Sequence, residues 1–136
     1  MVAKSAAAIS RYKSVQVTTC GPGQLIVMLY DGLFRFLNEA QAAIDAKDRG
    51  TAGEKISRSH AILEHLLAGL DPEVAPALCE HLGPLYMFCM QRLIQANIKQ
   101  DSKLLAEVQR VLSPLRDAWK QAAEQISTTA PATAAR

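Results

Sequence analysis

Metal binding is the first chemistry to consider, because the 136 residues include three histidines and three cysteines. The cysteines and histidines nearest to one another in sequence are Cys79 with His81, and His60 with His65. These pairs are two and five residues apart, so on a helix neither pair would point in one direction. Di-iron bundle proteins need Glu-x-x-His pairs, and none of the seven glutamates has a histidine three residues later. We therefore expect no metal and no other cofactor.

His60 suggests a second chemistry, since a histidine in the middle of a helix can accept a phosphoryl group. Histidine-phosphotransfer domains usually place a lysine and a glycine just after that histidine, where they stabilise the phosphate and give access to it. Here the next four residues are Ala61, Ile62, Leu63 and Glu64, and the Glu64 carboxylate would repel phosphate. A histidine phosphotransfer bundle using His60 stays the alternative to the function inferred below.

The sequence shows no other catalytic or nucleotide-binding pattern. It has no Gly-x-x-x-x-Gly-Lys, Gly-x-Gly-x-x-Gly or Gly-x-Ser-x-Gly segment, so we expect a protein that is not an enzyme. A net charge of +2 is far below the dense positive field that nucleic-acid binding requires. No apolar run reaches about 18 residues, and the first ten residues lack the apolar core of a signal peptide. We expect a cytoplasmic protein with reduced thiols, no nucleic-acid partner and no membrane insertion.

Helices must position these residues, because the composition favours them. Apolar residues make up 49% of the chain, and alanine and leucine outnumber valine and isoleucine by more than two to one. Alanine and leucine lose little conformational freedom in a helix, whereas β-branched side chains lose freedom at χ1. We predict one helix over about residues 22–47, a second that begins with a Thr51–Glu54 capping box, a third over about residues 76–99, and a fourth that Asp101 caps.

Four such helices predict an all-α fold, an antiparallel four-helix bundle with a short extra helical turn near Asp71 and flexible termini. Pro114 is expected to kink or restart the fourth helix. The predicted division of the chain is a flexible or extended N-terminal segment at 1–21, a helical bundle domain at 22–126 and a disordered tail at 127–136.

Helices one and three carry more apolar surface than one bundle contact needs. Helix one is apolar around most of its circumference, and helix three has a core face with a second apolar stripe beside it. The predicted core face consists of Leu78, Leu82, Leu85, Cys89, Leu93 and Ala96, and the stripe consists of Met87, Met90, Ile94 and Ile98. Periodicity alone leaves two explanations: both helices are central in a compact fold, or the surplus binds an apolar partner, a role that flexible methionines suit.

Three segments of the chain resemble the signature of the FliS flagellar export chaperones. They are PGQLIVMLYDG at 22–32, LYMFCMQRLIQAN at 85–97 followed by Asp101, and EVQRVLSPLRDAW at 107–119. Residues 12–17 are also similar to the family's N-terminal stretch, so the resemblance covers about residues 12–122 in the family's order.

Three positions depart from the family pattern, and none affects a catalytic group, because the family has none. Gly21 stands where the family usually has serine before the helix-one proline, and Val74-Ala75 replaces a Gly-Gly after the second helix. Tyr86-Met87-Phe88 replaces the family's Tyr-Asp-Tyr, which removes a charge and makes that face more apolar.

The resemblance implies a cytosolic chaperone that binds the disordered C-terminal region of flagellin, prevents premature polymerisation and delivers flagellin to the flagellar type III export apparatus. Its partners would be the flagellin C-terminal segment and the flagellar export gate, and the protein itself would be a monomer or weak homodimer. A client helix lying in an apolar groove would account for the surplus apolar surface. The residues expected to bind the partner are Tyr12, Val15, Leu25, Met28, Leu29, Met87, Met90, Ile94 and Asn97. Tyr12 and Val15 would also anchor the N-terminal segment over the groove when no client is present.

Overall fold

The computed structural model describes the backbone of residues 22–134 and the side chains of residues 23–125. Its helices are α1 (Pro22–Asp45), α2 (Arg49–Ala68), α3 (Pro76–Lys99) and α4 (Ser102–Ala134). Helix α1 borders α2 and α4, and α3 borders the same two, so the four helices stand at the corners of a square. Short connections make helices that are consecutive in sequence antiparallel, which confirms the predicted all-α four-helix bundle.

Helix α2 begins earlier than predicted, because Asp48 and not Thr51 is its N-cap. The Asp48 carboxylate accepts hydrogen bonds from the Thr51 hydroxyl at 2.7 Å and from the Thr51 backbone N–H at 3.2 Å. These two bonds lower the pKa of Asp48. A carboxylate in this position satisfies an amide of the first turn and adds a favourable charge at the helix N-terminus, so the predicted Thr51–Glu54 capping box is wrong.

Helix α4 runs through Pro114 without a restart, so a second helix does not begin there. Proline lacks the N–H that would bond the carbonyl of Arg110, four residues earlier. Arg110 and Pro114 are both exposed, and water can serve that carbonyl instead. The helical backbone also continues beyond residue 126, and the division of the chain into segments 1–21, 22–126 and 127–136 stays a prediction.

One face of each helix forms the core. The largest fully buried side chains include Tyr30, Leu33, Leu37, Leu63, Tyr86, Leu93, Leu105 and Leu112. On α3 the predicted face is right for Leu82, Cys89, Leu93 and Ala96, which are buried. It is wrong for Leu78, which is 41% exposed, and it omits Tyr86, which is 1% exposed.

Tyr86 is buried because its hydroxyl finds a partner across the bundle. The hydroxyl oxygens of Tyr30 on α1 and Tyr86 on α3 lie 2.7 Å apart. Burial raises the pKa of both phenols, and the neighbouring Tyr86 hydroxyl adds to the rise at Tyr30. A phenol hydroxyl can donate or accept, so one of the two donates to the other. This hydrogen bond satisfies two hydroxyl groups that are costly to bury unpaired.

Hydrogen bonds close the end of the bundle where α1 turns into α2 and α3 turns into α4. Arg49 donates to the carbonyl of Ile98 at 3.2 Å and so joins the start of α2 to the end of α3. Lys47 and Gln100 terminate α1 and α3 with positive φ angles of 60° and 52°. The backbone N–H of Gln100 bonds to the carbonyl of Ala96. At the opposite end, where α2 turns into α3, apolar side chains surround a cavity.

Candidate functional site

An apolar cavity of about 400 Å³ lies at that opposite end of the bundle. The first turns of α1 and α3, the last turns of α2 and its connection to α3, and one residue of α4 line this end cavity. The lining side chains are Leu25, Ile26, Leu29, His65, Leu66, Leu70, Asp71, Val74, Ala75, Leu78, Cys79, Leu82, Tyr86 and Trp119, with Gly69. Most of this wall is hydrocarbon, so the end cavity suits the apolar side chains of a partner better than a charged ligand.

The connection between α2 and α3 shapes one wall of the end cavity. The carbonyl of Asp71 accepts hydrogen bonds from the amides of Val74 and Ala75 at 3.2 and 2.9 Å, and its carboxylate accepts from the amide of Glu73 at 3.0 Å. Pro76 then begins α3. The predicted extra helical turn takes the form of a hydrogen-bonded turn over residues 71–75, and it holds Val74 79% exposed.

Two of the residues predicted to bind a partner meet at the end cavity. Leu25 and Leu29, one turn apart on α1, both line it. Met28 lies between them in sequence but is exposed and is not part of the wall. Tyr12 and Val15 lie outside the described residues.

The remaining predicted residues lie along α3, away from the end cavity. Met87, Ile94 and Ile98 are 55%, 50% and 68% exposed, and Met90 beside them is half-buried. These four residues form an apolar strip on the bundle surface, the α3 stripe. This exposure shows that most of the surplus on helix three lies outside the core, so the explanation that it is all core is wrong for these residues.

Asn97 lies at the close approach of α2 and α3. It lines a shallow hollow together with Ile56, Ser57, His60, Glu64, Ile94 and Ile98. Gln100 donates to the Asn97 backbone carbonyl at 2.8 Å and to its side-chain oxygen at 3.3 Å. A Cβ at Gly53 would lie 3.5 Å from that same side-chain oxygen, an ordinary contact distance, so Asn97 packs closely against the backbone of α2. These contacts give Asn97 a structural role in addition to its place in the hollow.

His60 is held by an acid in the same hollow. Its Nδ1 lies 2.9 Å from Oε1 of Glu64, one turn further along α2. A phosphoryl-accepting histidine needs a cation near the developing negative charge, and a carboxylate in this position opposes phosphorylation.

Several residues that line the end cavity were not predicted to bind a partner. They include Leu70, Leu78, Leu82, Tyr86 and Trp119. The sequence placed Leu78 and Leu82 on the core face of α3, which is correct for Leu82 only. Leu78 and Leu82 lie near the start of a predicted helix, beside a turn that contains Pro72 and ends at Pro76. That position in the sequence could have indicated a cavity at this end of the bundle. Among residues 23–125, no further layer of side chains covers such positions.

Thiol and metal chemistry is limited in the part of the chain that the structure describes. Cys89 is buried, and desolvation raises its pKa to about 12, so its thiol stays protonated near neutral pH. Within residues 22–134, no group of three or more His, Cys, Asp or Glu side chains could hold a metal ion. None of the helices described is long and apolar enough to cross a membrane.

Apolar cavities and exposed apolar stripes on helical bundles are features of proteins that bind segments of partner chains. The family model for the flagellar protein FliS matches residues 5–126. The chain is 37% identical over 111 residues to the flagellar secretion chaperone FliS of Bacillus subtilis (strain 168), with 82% of each chain covered. It is 34% identical over 128 residues to the flagellar secretion chaperone FliS of Salmonella typhimurium, covering 90% of this chain and 95% of that relative. The chain therefore belongs to the FliS family, and both relatives named here are flagellar secretion chaperones.

Proposed function

We propose that this protein is a cytoplasmic chaperone for flagellin. It binds the disordered C-terminal region of flagellin, prevents premature polymerisation and delivers the client to the flagellar type III export apparatus. The observation that carries this proposal is the apolar wall of the end cavity, which matches the apolar side chains of a client helix. The two relatives named as flagellar secretion chaperones support the choice of client.

Apolar side chains of a client helix provide the binding energy when they enter the end cavity. Burying apolar surface contributes about 25 cal/mol per Å². Ordering a disordered segment costs roughly 2–5 kcal/mol of that gain. The free energy that remains gives an affinity weak enough for the export apparatus to release the client.

The α3 stripe provides a second contact for the same client segment. Met87 and Met90 can adapt to varied apolar side chains because an unbranched thioether has several rotatable bonds. A client held at the end cavity reaches the stripe as an intramolecular contact, which raises its effective concentration there. Two weak contacts thus give firm but reversible binding.

The N-terminal segment covers the end cavity when no client is bound. Helix α1 begins at Pro22, and Leu25 and Ile26 already line the cavity, so residues 1–21 join the bundle at that end. Tyr12 and Val15 are the anchors in this proposal. A tethered segment needs only weak contacts to stay in place.

Deletion of residues 1–17 should expose apolar surface and tighten binding of an isolated flagellin C-terminal peptide, because the peptide no longer competes with a tethered segment. ANS fluorescence would report the exposed surface, and titration calorimetry the affinity. The double variant Tyr12→Ser and Val15→Ser should reproduce both effects at full length. Weaker peptide binding after the deletion would show that the segment helps to hold the client.

Size-exclusion chromatography of the purified protein with monomeric flagellin from the same organism tests the proposed function. We expect a stable complex with full-length flagellin and none with flagellin that lacks its C-terminal region. Equal binding of both forms would contradict the proposed client segment, and no binding of either would contradict the proposed function. Labelling of His60 by acetyl phosphate would instead favour the phosphotransfer alternative.

A further inference from the structure

A second surface lies along the outer seam between α1 and α2, around the half-buried ring of Phe36. Three cationic groups surround this ring: Cζ of Arg35, Nζ of Lys55 and Cζ of Arg58 lie 5.0, 5.6 and 5.8 Å from its centroid. Cations over aromatic rings occur roughly once per 70–80 residues, so three on one ring are uncommon. These four residues, with Glu39 and Glu54 beside them, form the Phe36 face.

Two other rings on the described part of the chain show the usual arrangement. Arg116 lies 4.9 Å from the centroid of Phe34, and Arg92 lies 4.8 Å from that of Phe88. One arginine thus lies close to each of these rings. The arrangement at Phe36 therefore needs a separate explanation.

The Phe36 face carries more positive than negative charge. Glu39 lies 3.0 Å from Lys55 but 4.0 Å from Arg35, and Glu54 lies 3.4 Å from Arg58. Two carboxylates therefore pair with three cations, which leaves one net positive charge on this face. Because each cation lies within 6 Å of one centroid, any two are less than about 12 Å apart, which is well inside the Debye length of about 30 Å at 0.01 M salt. A further carboxylate would relieve their mutual repulsion.

Arg35 is the cation best placed to receive that carboxylate. Its side chain is 68% exposed, and its ion pair with Glu39 is at the limit of contact. A guanidinium has N–H donors in a planar fork that matches the two oxygens of a carboxylate. Because the contact with Glu39 is long, most N–H donors of the Arg35 guanidinium stay available to a partner.

The Phe36 face is separate from the client contacts of the proposed function. Phe36 lies seven residues beyond Leu29 on α1, a distance of about 10 Å along the helix axis. On α2, Lys55 and Arg58 reach toward α1, whereas Ser57 and His60 line the hollow beside α3. A client in the end cavity and on the α3 stripe leaves the Phe36 face accessible.

We propose that the Phe36 face binds an acidic segment of a second protein while the client occupies the end cavity. Carboxylates of that segment pair with Arg35 and Arg58, and its apolar atoms pack against the accessible part of the Phe36 ring. A nucleic acid fits less well, since its closely spaced phosphates would meet Glu39 and Glu54 between the cations. Simultaneous binding rests on the proposed function, but recognition of the acidic segment does not.

A short fluorescein-labelled peptide of alternating glutamate and alanine, with a glutamine-alanine twin, tests this proposal by fluorescence anisotropy at low ionic strength. The full-length protein should bind the glutamate peptide at least about tenfold more tightly than the twin. The double variant Arg35→Glu and Arg58→Glu should lose at least about tenfold in affinity for the glutamate peptide. The matched control, Lys103→Glu and Arg110→Glu, changes net charge equally at exposed positions of α4 and should bind like the wild type. Circular dichroism should show unchanged helix content in both variants.

Equal binding of both peptides, or equal losses in both double variants, would overturn the proposal, because net charge alone would then explain the result. So would tighter binding of an oligothymidylate of equal charge that the Arg35 and Arg58 changes abolish. Saturating flagellin should leave binding of the glutamate peptide unchanged, and displacement would overturn the separate location of the face. If flagellin does not bind at all, the proposed function fails, but the peptide titration still decides this inference.

Discussion

Replacement of Leu78 by glutamate should weaken flagellin binding roughly 10- to 100-fold while the bundle stays folded. Leu78 lines the end cavity and is partly exposed, so the unliganded protein can keep the new carboxylate in water. The client must remove part of that water, which costs at least the roughly 1–3 kcal/mol of a neutral polar group, and each 1.4 kcal/mol is tenfold in affinity. Folding is little affected, because a carboxylate is favourable in the first turn of a helix.

Ala77→Glu is the matched control for this prediction. Ala77 is the preceding residue in the same helical turn, is exposed and does not line the end cavity. It should accept the same charge with little change in affinity for the flagellin C-terminal peptide by titration calorimetry. If the two variants bind equally well or equally badly, the client does not use the end cavity in the way we propose.

Truncation of two adjacent residues on α3 should separate the core from the partner surface. Leu93 is completely buried, whereas Ile94 is half exposed on the α3 stripe. Leu93→Ala should lower the free energy of unfolding by about 3–5 kcal/mol, because it removes buried hydrocarbon and leaves a cavity. Ile94→Ala should change it by roughly 0.5 kcal/mol or less.

Urea unfolding followed by circular dichroism would measure both stabilities, and a binding titration of Ile94→Ala completes the comparison. That variant should bind the flagellin peptide more weakly despite its normal stability, because the stripe loses apolar contact area. A large stability loss for Ile94→Ala would place the residue in the core. Unchanged peptide binding would remove Ile94 from the client contacts.

The helices could be predicted from the sequence because local signals mark them. Prolines at the first position of α1 and α3 and the apolar periodicity between them are properties of neighbouring residues, and the predicted third helix has the observed bounds of Pro76–Lys99. The start of α2 was misplaced because Asp48 and Thr51 are both good N-caps, and sequence alone does not rank them. The uninterrupted course of α4 through Pro114 depends on both residues of the broken hydrogen bond being exposed.

The end cavity could be predicted only in part, because its walls come from four helices. Leu25 and Leu29 were predicted from the apolar excess of helix one, but Tyr86 was not, since its burial depends on Tyr30, 56 residues away. Leu78 has the spacing of a core residue and yet is partly exposed, because no further layer of side chains among residues 23–125 covers it. The Phe36 face was missed for a related reason, as its three cations come from two helices.

The position of Trp119 allows the binding of a client to be followed over time by fluorescence. It is the one tryptophan of the chain, and it lines the end cavity. Indole emission responds to loss of neighbouring water, so an unlabelled client that fills the cavity changes the intrinsic fluorescence of the wild-type protein. Stopped-flow mixing can then resolve the association and dissociation rate constants separately, and differences between client variants are expected mainly in dissociation. The residence time of the client, which limits how often one chaperone molecule can serve export, thereby becomes directly measurable.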